Sequence, residues 1–270
     1  MRRLLIRPGG IGDCIACFPV MKWLRANHTE VWAPSAVCPL IQFADRVRAI
    51  SGTGIDLIGI DEIDAPRATL EALAHFDEIV SWYGTNRSEF REAALSCNPN
   101  WRFLPALPPS QATLHVTDFY ARAVGAPSGL CPTTLCVPCA PKRRSVVIQP
   151  FSGSPRKNWP LDRFQELARR LPLPVEWIAG PEETLPGALR FDDLWQLANW
   201  ISGASLYIGN DSGITHLAAA TGVPAIALFG ATDSRVWAPR GESVTLVVRD
   251  SMQSIATDDV LRAAANLLYL

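Results

Sequence analysis

Short apolar runs, which predict buried strands, alternate along the chain with stretches of helical periodicity. Such alternation is typical of parallel sheets built from right-handed βαβ units. In the first half, strands are predicted at 2–7, 30–34, 47–50, 55–60, 77–83 and 101–106. Helices are predicted at 13–27, 36–44, 66–75, 87–96 and 115–124. The first half therefore predicts an open α/β domain.

A proline-rich stretch without helical periodicity, 125–144, interrupts this pattern and predicts a linker. Beyond it, strands are predicted at 145–151, 174–180, 205–210, 224–230 and 244–248, and helices at 161–171, 191–202, 213–222 and 257–270. We divide the chain into an N-terminal domain (1–138), a C-terminal domain (139–256) and a closing helix (257–270) that we expect to pack back on the N-terminal domain. Two such α/β domains predict a cleft between them, with ligands beyond the carboxyl ends of the strands.

Composition narrows the classes of function. Hydrophobic residues make up 48% of the 270 residues, and the formal net charge of −1 argues against a general nucleic-acid binder. Apolar runs stay shorter than the ~18–20 residues of a membrane span. The N-terminal stretch does not resemble a secretory signal, so we expect a cytoplasmic protein. Cys14 and Cys17 lie on an apolar helix pattern, which predicts buried, inert thiols.

The first loop of the second domain combines small residues with positive charge. Ser152, Gly153 and Ser154 offer hydroxyls and close backbone approach, and Arg156 and Lys157 follow them. This combination suits a phosphate group. The alternative is a polar loop with solvated basic residues.

The next strand of that domain ends in Gly180-Pro-Glu182-Glu183. A carboxylate after this turn can accept hydrogen bonds from a ribose, and either Glu182 or Glu183 can fill that role. Solvated charge is an equally good interpretation of the two residues.

The stretch that begins at Asn210 places polar residues at the start of a predicted helix. Asp211 or Ser212 can cap that helix, and the N–H groups of Ser212 and Gly213 then favour an anion. His216 adds a donor or a cation, whereas Asp211 is itself an anion and suits sugar hydroxyls. Together with the Lys157 loop, this predicts a nucleotide diphosphate site. A capped core helix is the alternative.

The first strand of the chain ends in a Gly-Gly-x-Gly-Asp turn that includes Gly10, Gly12 and Asp13. This spacing differs from the G-x-G-x-x-G fingerprint, and a carboxylate in the turn repels a pyrophosphate. Asp13 instead suits a general base that faces the other domain. The alternative is an N-cap for a helix that begins at residue 14.

Together these stretches resemble glycosyltransferase family 9, the heptosyltransferases of lipopolysaccharide core assembly. The resemblance is carried by "IGDCIACFPVMKWLR", "SGSPRKNWPLDRFQELARRL", "GPEE" and, most specifically, "GNDSGITHLAAATGVPAIALFGATDSRVWAP". The family implies a GT-B architecture, two Rossmann-like parallel-sheet domains that face a cleft. It also implies an inverting transfer of a sugar, heptose, from ADP-heptose to a lipopolysaccharide core-type acceptor that is lipid-linked or an oligosaccharide.

The resemblance also implies roles for individual residues. Asp13 matches the base that deprotonates the acceptor hydroxyl, and Lys157 matches the residue that stabilises the leaving diphosphate. Substrate contacts are expected at Gly10, Gly12, Ser152, Gly153, Ser154, Glu182, Glu183, Asp211, Ser212, Gly213 and His216. Neither a metal cluster nor an Asp-x-Asp motif is visible, so we expect metal-free catalysis without a cofactor.

The chain also departs from the family. It is short, and few residues separate Glu183 from the helix predicted at 191–202, where the family usually carries a further strand and helix. Two rival functions stay open: a transferase of the same fold for another sugar and acceptor, and a non-catalytic nucleotide-sugar binder. A nucleotide-sugar 2-epimerase has two such domains as well, but the acid pair and histidine motifs that it requires near the cleft are not found in the sequence. The resemblance implies a cytoplasmic enzyme, with peripheral contact at the inner membrane compatible with its acceptor.

Overall fold

The computed structural model describes residues 1–60, 66–138 and 140–268. Position 139, where the predicted second domain begins, and positions 269 and 270, where the predicted closing helix ends, lie outside the described residues. The chain forms two compact units: Met1–Ala112 with Val116–Leu130, and Thr113–His115 with Cys131–Leu270.

The first unit is a parallel five-stranded sheet with helices, and its strand order is β3-β2-β1-β4-β5. The first strand thus lies at the centre, and the point where the order reverses lies between β1 and β4. The elements in chain order are β1 (Arg2–Ile6), α1 (Ile11–Trp23), β2 (His28–Ala33), β3 (Arg46–Ala49), α2 (Arg67–Ala74), β4 (Glu78–Ser81), α3 (Ser88–Cys97), β5 (Trp101–Phe103) and α4 (Val116–Val124).

The second unit repeats this architecture with another strand order, β10-β9-β8-β6-β7, again entirely parallel. Here the order reverses between β6 and β8. The elements are β6 (Val146–Gln149), α5 (Leu161–Arg170), β7 (Val175–Trp177), α6 (Leu194–Ser202), β8 (Leu206–Asn210), α7 (Gly213–Ala220), β9 (Ala225–Phe229), α8 (Ser234–Trp237), β10 (Val244–Val248) and α9 (Thr257–Leu268). The predicted pair of parallel-sheet α/β domains is confirmed.

Each sheet is buried on an apolar core of its own. Leu4, Ile6 and Trp32 of the first sheet pack with Phe90 and Trp101. In the second unit, β6, β8 and β9 pack on α5 and α9, with Phe164 and Val260 fully buried. Strands this apolar are typical of sheets covered on both faces.

Two predicted elements of the first unit are wrong. The apolar run 55–60 forms a short 3-10 turn, Ile55–Leu57, because Gly54 enters it with a φ of +68° and Ile55 and Ile58 bury one face at helical spacing. The helix predicted at 36–44 shrinks to a 3-10 turn, Cys38–Leu40. Pro39 lacks the N–H that a longer helix needs.

The closing helix packs within the second unit, where α9 contacts α5 and β10. Val260 and Ala264 of α9 belong to the core of that unit, so burial of this apolar face fixes the helix there. None of the helices in the described residues combines the length and the apolar composition that a membrane crossing requires.

Candidate functional site

The strand order of the second sheet brings two loops together. β6 and β8 are neighbours, with Gln149 opposite Gly209, so the loop after β6 and the start of α7 leave the same edge of the sheet side by side. In doubly wound sheets, ligands bind at such a reversal of strand order, beyond the carboxyl ends of the strands. These two loops carry most of the residues that the sequence predicts for the donor.

The loop after β6 is braced by its own side chains. The Ser152 hydroxyl lies 2.8 Å from the Ser154 carbonyl oxygen and 2.8 Å from Asn158 Oδ1. Gly153 is exposed, and a Cβ added there would meet no described atom within 4 Å. Lys157 ends a 3-10 turn in this loop. The loop therefore holds its shape while leaving Gly153 and Lys157 partly accessible.

Lys157 reaches across to the neighbouring loop. Its Nζ lies 2.7 Å from Asp211 Oδ2, and the side chains are 32% and 7% exposed respectively. The Thr232 hydroxyl, from the loop after β9, donates to the same Asp211 oxygen at 2.6 Å. Three successive loops of the sheet thus meet at one carboxylate. The structure brings Lys157, predicted for phosphate, into direct contact with Asp211, predicted for sugar hydroxyls.

The start of α7 adds backbone donors to this cluster. Of the two capping candidates, Ser212 is the N-cap: its hydroxyl oxygen accepts from the Thr215 N–H at 3.3 Å. Gly213 is the first helical residue, so its N–H belongs to the helix end at which the macrodipole favours an anion. His216, in the same first turn, is 8% exposed.

The two glutamates after β7 differ in environment. Glu183 Oε2 accepts from the Gly180 N–H at 2.6 Å, and its carboxylate therefore closes the turn that it follows. Glu182 is exposed. Beyond this turn, Leu189 forms an isolated parallel bridge to Ile178. This bridge extends the edge of the sheet into the short segment before α6.

Asp13 lies in the first unit, at the start of α1. The helix begins at Ile11 with Gly10 as N-cap, so Asp13 occupies the first turn and is not the cap of a helix beginning at residue 14. Its Oδ2 accepts from the Gly10 N–H at 3.1 Å, and the residue is partly exposed. Gly9 precedes it with a φ of +115°. Gly12 lies in the same turn, also partly exposed.

A buried arginine supports this helix start. The Arg7 guanidinium donates to the Asp13 carbonyl oxygen at 3.1 Å and to the Tyr120 hydroxyl at 2.7 Å. Tyr120 in turn donates to the Ala106 carbonyl oxygen at 3.0 Å. Burial raises the pKa of Tyr120, so the hydroxyl stays protonated as a donor. Arg7 thus ties α1 to α4 and to the loop after β5.

The cysteines of α1 are buried as the sequence predicts. Burial raises the pKa of both Cys14 and Cys17 to about 12, which leaves them as thiols at neutral pH. Cys139 lies outside the described residues. Within the described ranges, no group of three or more His, Cys, Asp or Glu side chains is placed to hold a metal ion.

The structure thus collects the predicted residues into three places. Ser152, Gly153, Ser154, Lys157, Asp211, Ser212, Gly213 and His216 share the β6–β8 reversal; Glu182 and Glu183 follow the adjacent strand β7; Gly10, Gly12 and Asp13 lie in the first unit. Sequence reasoning missed Asn210 and Thr232. Asn210 is the last residue of the apolar strand β8, and Thr232 lies three residues after the end of β9. A polar residue at or just beyond the carboxyl end of a buried strand was the available signal.

Part of the chain is similar in sequence to one known family. The family model described as glycosyltransferase family 9 (heptosyltransferase) matches residues 187–262. Lipopolysaccharide heptosyltransferase 3 of Escherichia coli K12 is 33% identical over an alignment that covers 43% of this chain and 39% of that protein. The match therefore spans well under half the length of this relative.

Two solved structures share the whole fold. The E. coli ADP-heptose lps heptosyltransferase II structure has a TM-score of 0.74 at 17% identity, covering 100% of this chain and 99% of that one. E. coli heptosyltransferase WaaC with ADP has a TM-score of 0.71 at 15% identity, covering 99% of this chain and 100% of that one. This likeness confirms the predicted GT-B-type fold. The sequence matches agree with the predicted resemblance to glycosyltransferase family 9, and they cover the C-terminal part of the chain by the family model and under half of it by the relative.

Proposed function

We propose that the chain is an inverting glycosyltransferase that moves a heptose from ADP-heptose to a lipopolysaccharide core-type acceptor. The named relatives support this choice: one is a lipopolysaccharide heptosyltransferase, and one structural neighbour of the same fold is described with ADP. The acceptor in this proposal is lipid-linked, which implies peripheral contact at the cytoplasmic face of the inner membrane.

One observation carries the proposal. Lys157 and the capped start of α7 lie at the strand-order reversal of the second sheet and are joined by the 2.7 Å contact to Asp211. An ammonium group and helix N–H groups at one sheet edge suit the diphosphate of a nucleotide sugar. Ser152, Gly153 and Ser154 lie on the same loop as Lys157, where they are proposed to border the phosphates.

The proposed reaction is a direct displacement at the anomeric carbon. The acceptor oxygen forms the new bond to that carbon as the bond to the diphosphate oxygen breaks, and ADP leaves with the electron pair. Lys157 and the N–H groups near Gly213 stabilise the negative charge that grows on the leaving diphosphate. Asp13 takes the proton of the acceptor hydroxyl as general base.

The remaining residues are proposed to position the donor. Glu182 or Glu183 contacts the nucleoside, and Asp211 contacts hydroxyls of the transferred sugar. His216 contacts the diphosphate or the transferred sugar, and Gly10 and Gly12 allow close approach beside Asp13. The proposed mechanism uses neither a metal ion nor a cofactor.

The test combines binding with turnover. We expect ADP at 100 times its Kd to stabilise the native chain by about 2.7 kcal/mol, measured by thermal unfolding. Asp13→Asn keeps an oxygen for the Gly10 N–H, so ADP binding should persist. Transfer from ADP-heptose should fall by about 100- to 10,000-fold, the usual contribution of a general base.

Each of three results would contradict a different part of the proposal. Stabilisation by ADP without any transfer by the wild-type chain would indicate a nucleotide-sugar binder. Stabilisation by another nucleoside diphosphate in place of ADP would overturn the assignment of the donor. Wild-type turnover by Asp13→Asn would remove Asp13 as the base.

A further inference from the structure

The side chain of Asn210 is completely buried at the end of β8, between the two loops of the donor site. Its Nδ2 donates to the Pro150 carbonyl oxygen at 2.8 Å, and its Oδ1 accepts from the Trp159 N–H at 3.0 Å. Pro150 begins the loop after β6 and Trp159 ends it. A single amide therefore spans both ends of the loop that carries Lys157.

We propose that Asn210 is a positioning residue for donor binding, which clamps the Lys157 loop so that the ammonium group meets the diphosphate. This inference rests on the proposed function, since it assigns the same loop to the donor. Asn210 is too deeply buried to touch the donor itself, and it acts through Lys157.

The clamp requires an amide. One end of the loop presents a carbonyl acceptor and the other an N–H donor, so the side chain between them must donate and accept at once. A carboxylate at this position has no N–H for the Pro150 carbonyl, and an aliphatic side chain satisfies neither group. An unpaired polar group in this buried setting is costly, so loss of the amide favours a rearranged loop.

The far end of the loop is held firmly once the amide is in place. The Trp159 ring is buried, its Nε1–H donates to the Ile255 carbonyl oxygen at 3.0 Å, and the ring lies edge-on to Phe164 with centroids 4.7 Å apart. Lys157 precedes this anchor by two residues. The position of its ammonium group therefore follows from where Trp159 is held.

Asn210 also ties the loop to the start of α7. Its own carbonyl oxygen accepts a hydrogen bond from the Thr215 hydroxyl at 2.5 Å. The next residue, Asp211, forms the ion pair with Lys157. The backbone of Asn210 fixes the helix start while its side chain fixes the lysine loop. The two phosphate-binding elements are thus set relative to one another through one residue.

The experiment compares Asn210→Ala with Asn98→Ala. Asn98 is a buried asparagine of the first unit whose Nδ2 donates to the Leu73 and Phe76 carbonyl oxygens at 2.9 and 2.8 Å. The same substitution there removes a comparable amide far along the chain from the donor loops. We expect Asn210→Ala to raise the Kd for ADP and the KM for ADP-heptose by about tenfold or more, with a smaller change in kcat. Asn98→Ala should change both by less than about twofold, at a similar loss of thermal stability.

Hydrogen exchange gives a second readout that needs no donor. In the ligand-free chain, Asn210→Ala should accelerate exchange in the peptide 151–159 by about tenfold or more relative to wild type, because the Trp159 N–H loses its partner. Asn98→Ala should leave that peptide unchanged. Asn210→Ser, which is too short to span both groups, replaces Asn210→Ala if the latter does not fold.

The outcomes distinguish the clamp from the proposed function. Wild-type ADP affinity in Asn210→Ala, or equal weakening by Asn98→Ala, overturns the positioning role. Unchanged exchange in 151–159 overturns it as well. If wild-type protein binds no ADP, the proposed function fails, and the exchange comparison still decides whether Asn210 holds the loop.

Discussion

At the scale of single residues, the contact between Lys157 and Asp211 changes what the lysine can contribute. Asp211 is nearly buried and also accepts from Thr232, so its carboxylate is held in place at 2.7 Å from the ammonium group. A diphosphate that approaches Lys157 meets a charge already partly compensated. The same carboxylate would repel phosphate strongly if the lysine were absent.

Lys157→Ala should therefore raise the Kd for ADP by about 10- to 100-fold, since it removes a charge-assisted hydrogen bond and exposes the phosphate to an uncompensated Asp211. The neighbouring Arg156 is an exposed cation on the same loop and supplies a matched control. Arg156→Ala should change the Kd by less than about threefold, because an exposed charge is screened. Isothermal titration measures both.

A further variant isolates the repulsion by Asp211. In the Lys157→Ala background, Asp211→Asn should recover part of the lost affinity, since the amide carries no charge. Equal Kd values for Lys157→Ala and Arg156→Ala would remove Lys157 from the phosphate site.

The sequence predicts which residues belong to the site better than it predicts which of them are in contact. Ser212 and Lys157 stand out because each follows an apolar strand and precedes a helix, where polar side chains have chemical uses. Their proximity depends on β6 and β8 being neighbours, which the linear order of residues does not state. Asn210 was missed because its side chain pairs with backbone groups that are distant in sequence.

At the scale of elements, the turn between β1 and α1 is built around Asp13. Gly9 has a φ of +115°, and a Cβ added there would lie 3.3 Å from both the Cβ and Oδ2 of Asp13. Gly125 also has a positive φ, +77°, but a Cβ there would meet no described atom within 4 Å. A positive φ would strain alanine at either position, and the two positions differ in the effect of the added Cβ on the Asp13 carboxylate.

Alanine at either glycine should cost about 1–3 kcal/mol of folding free energy through that strain. Gly9→Ala should in addition lower kcat for transfer by about tenfold or more, because the added methyl group displaces the proposed base. Chemical denaturation and steady-state kinetics measure the two effects separately. If Gly9→Ala and Gly125→Ala lose the same stability and keep the same kcat, then the glycine at position 9 is not needed to place the Asp13 carboxylate.

Elements with regular periodicity and ordinary boundaries were predictable. The α1, α5 and α9 segments and the strands of both sheets follow from apolar spacing. The errors at 36–44 and 55–60 arose where a proline or a left-handed glycine overrides the apolar pattern. Short apolar runs do not by themselves separate a strand from a helical turn.

At the scale of the whole molecule, the two sheets share an architecture but not a strand order. The alternation of strands and helices predicts parallel sheets, and right-handed crossovers restrict the possible topologies. It does not decide between the order β3-β2-β1-β4-β5 and the order β10-β9-β8-β6-β7. That difference sets which loops flank each reversal: the loops after β1 and β4 in the first unit, and the loops after β6 and β8 in the second.

The thiols offer a test of how the chain is packed as a whole. Cys14 and Cys17 lie in the core of the first unit, whereas Cys131 and Cys136 of the second unit are exposed. Burial raises the pKa of the α1 pair to about 12, so at pH 8 the thiolate fraction is about one in ten thousand. Burial also blocks access of reagent to the sulfur atoms.

We therefore expect iodoacetamide at pH 8 to label Cys131 and Cys136 of the native chain quickly, with labels assigned by peptide mass spectrometry. Cys14 and Cys17 should be labelled only as fast as the first unit opens, and addition of denaturant should bring all four to similar rates. Raising the pH to 9 increases the thiolate fraction of the buried pair about tenfold, yet labelling limited by opening should not follow that increase. Rapid native labelling of Cys14 would contradict the burial of α1, and with it the packing that holds Asp13 at the start of this helix.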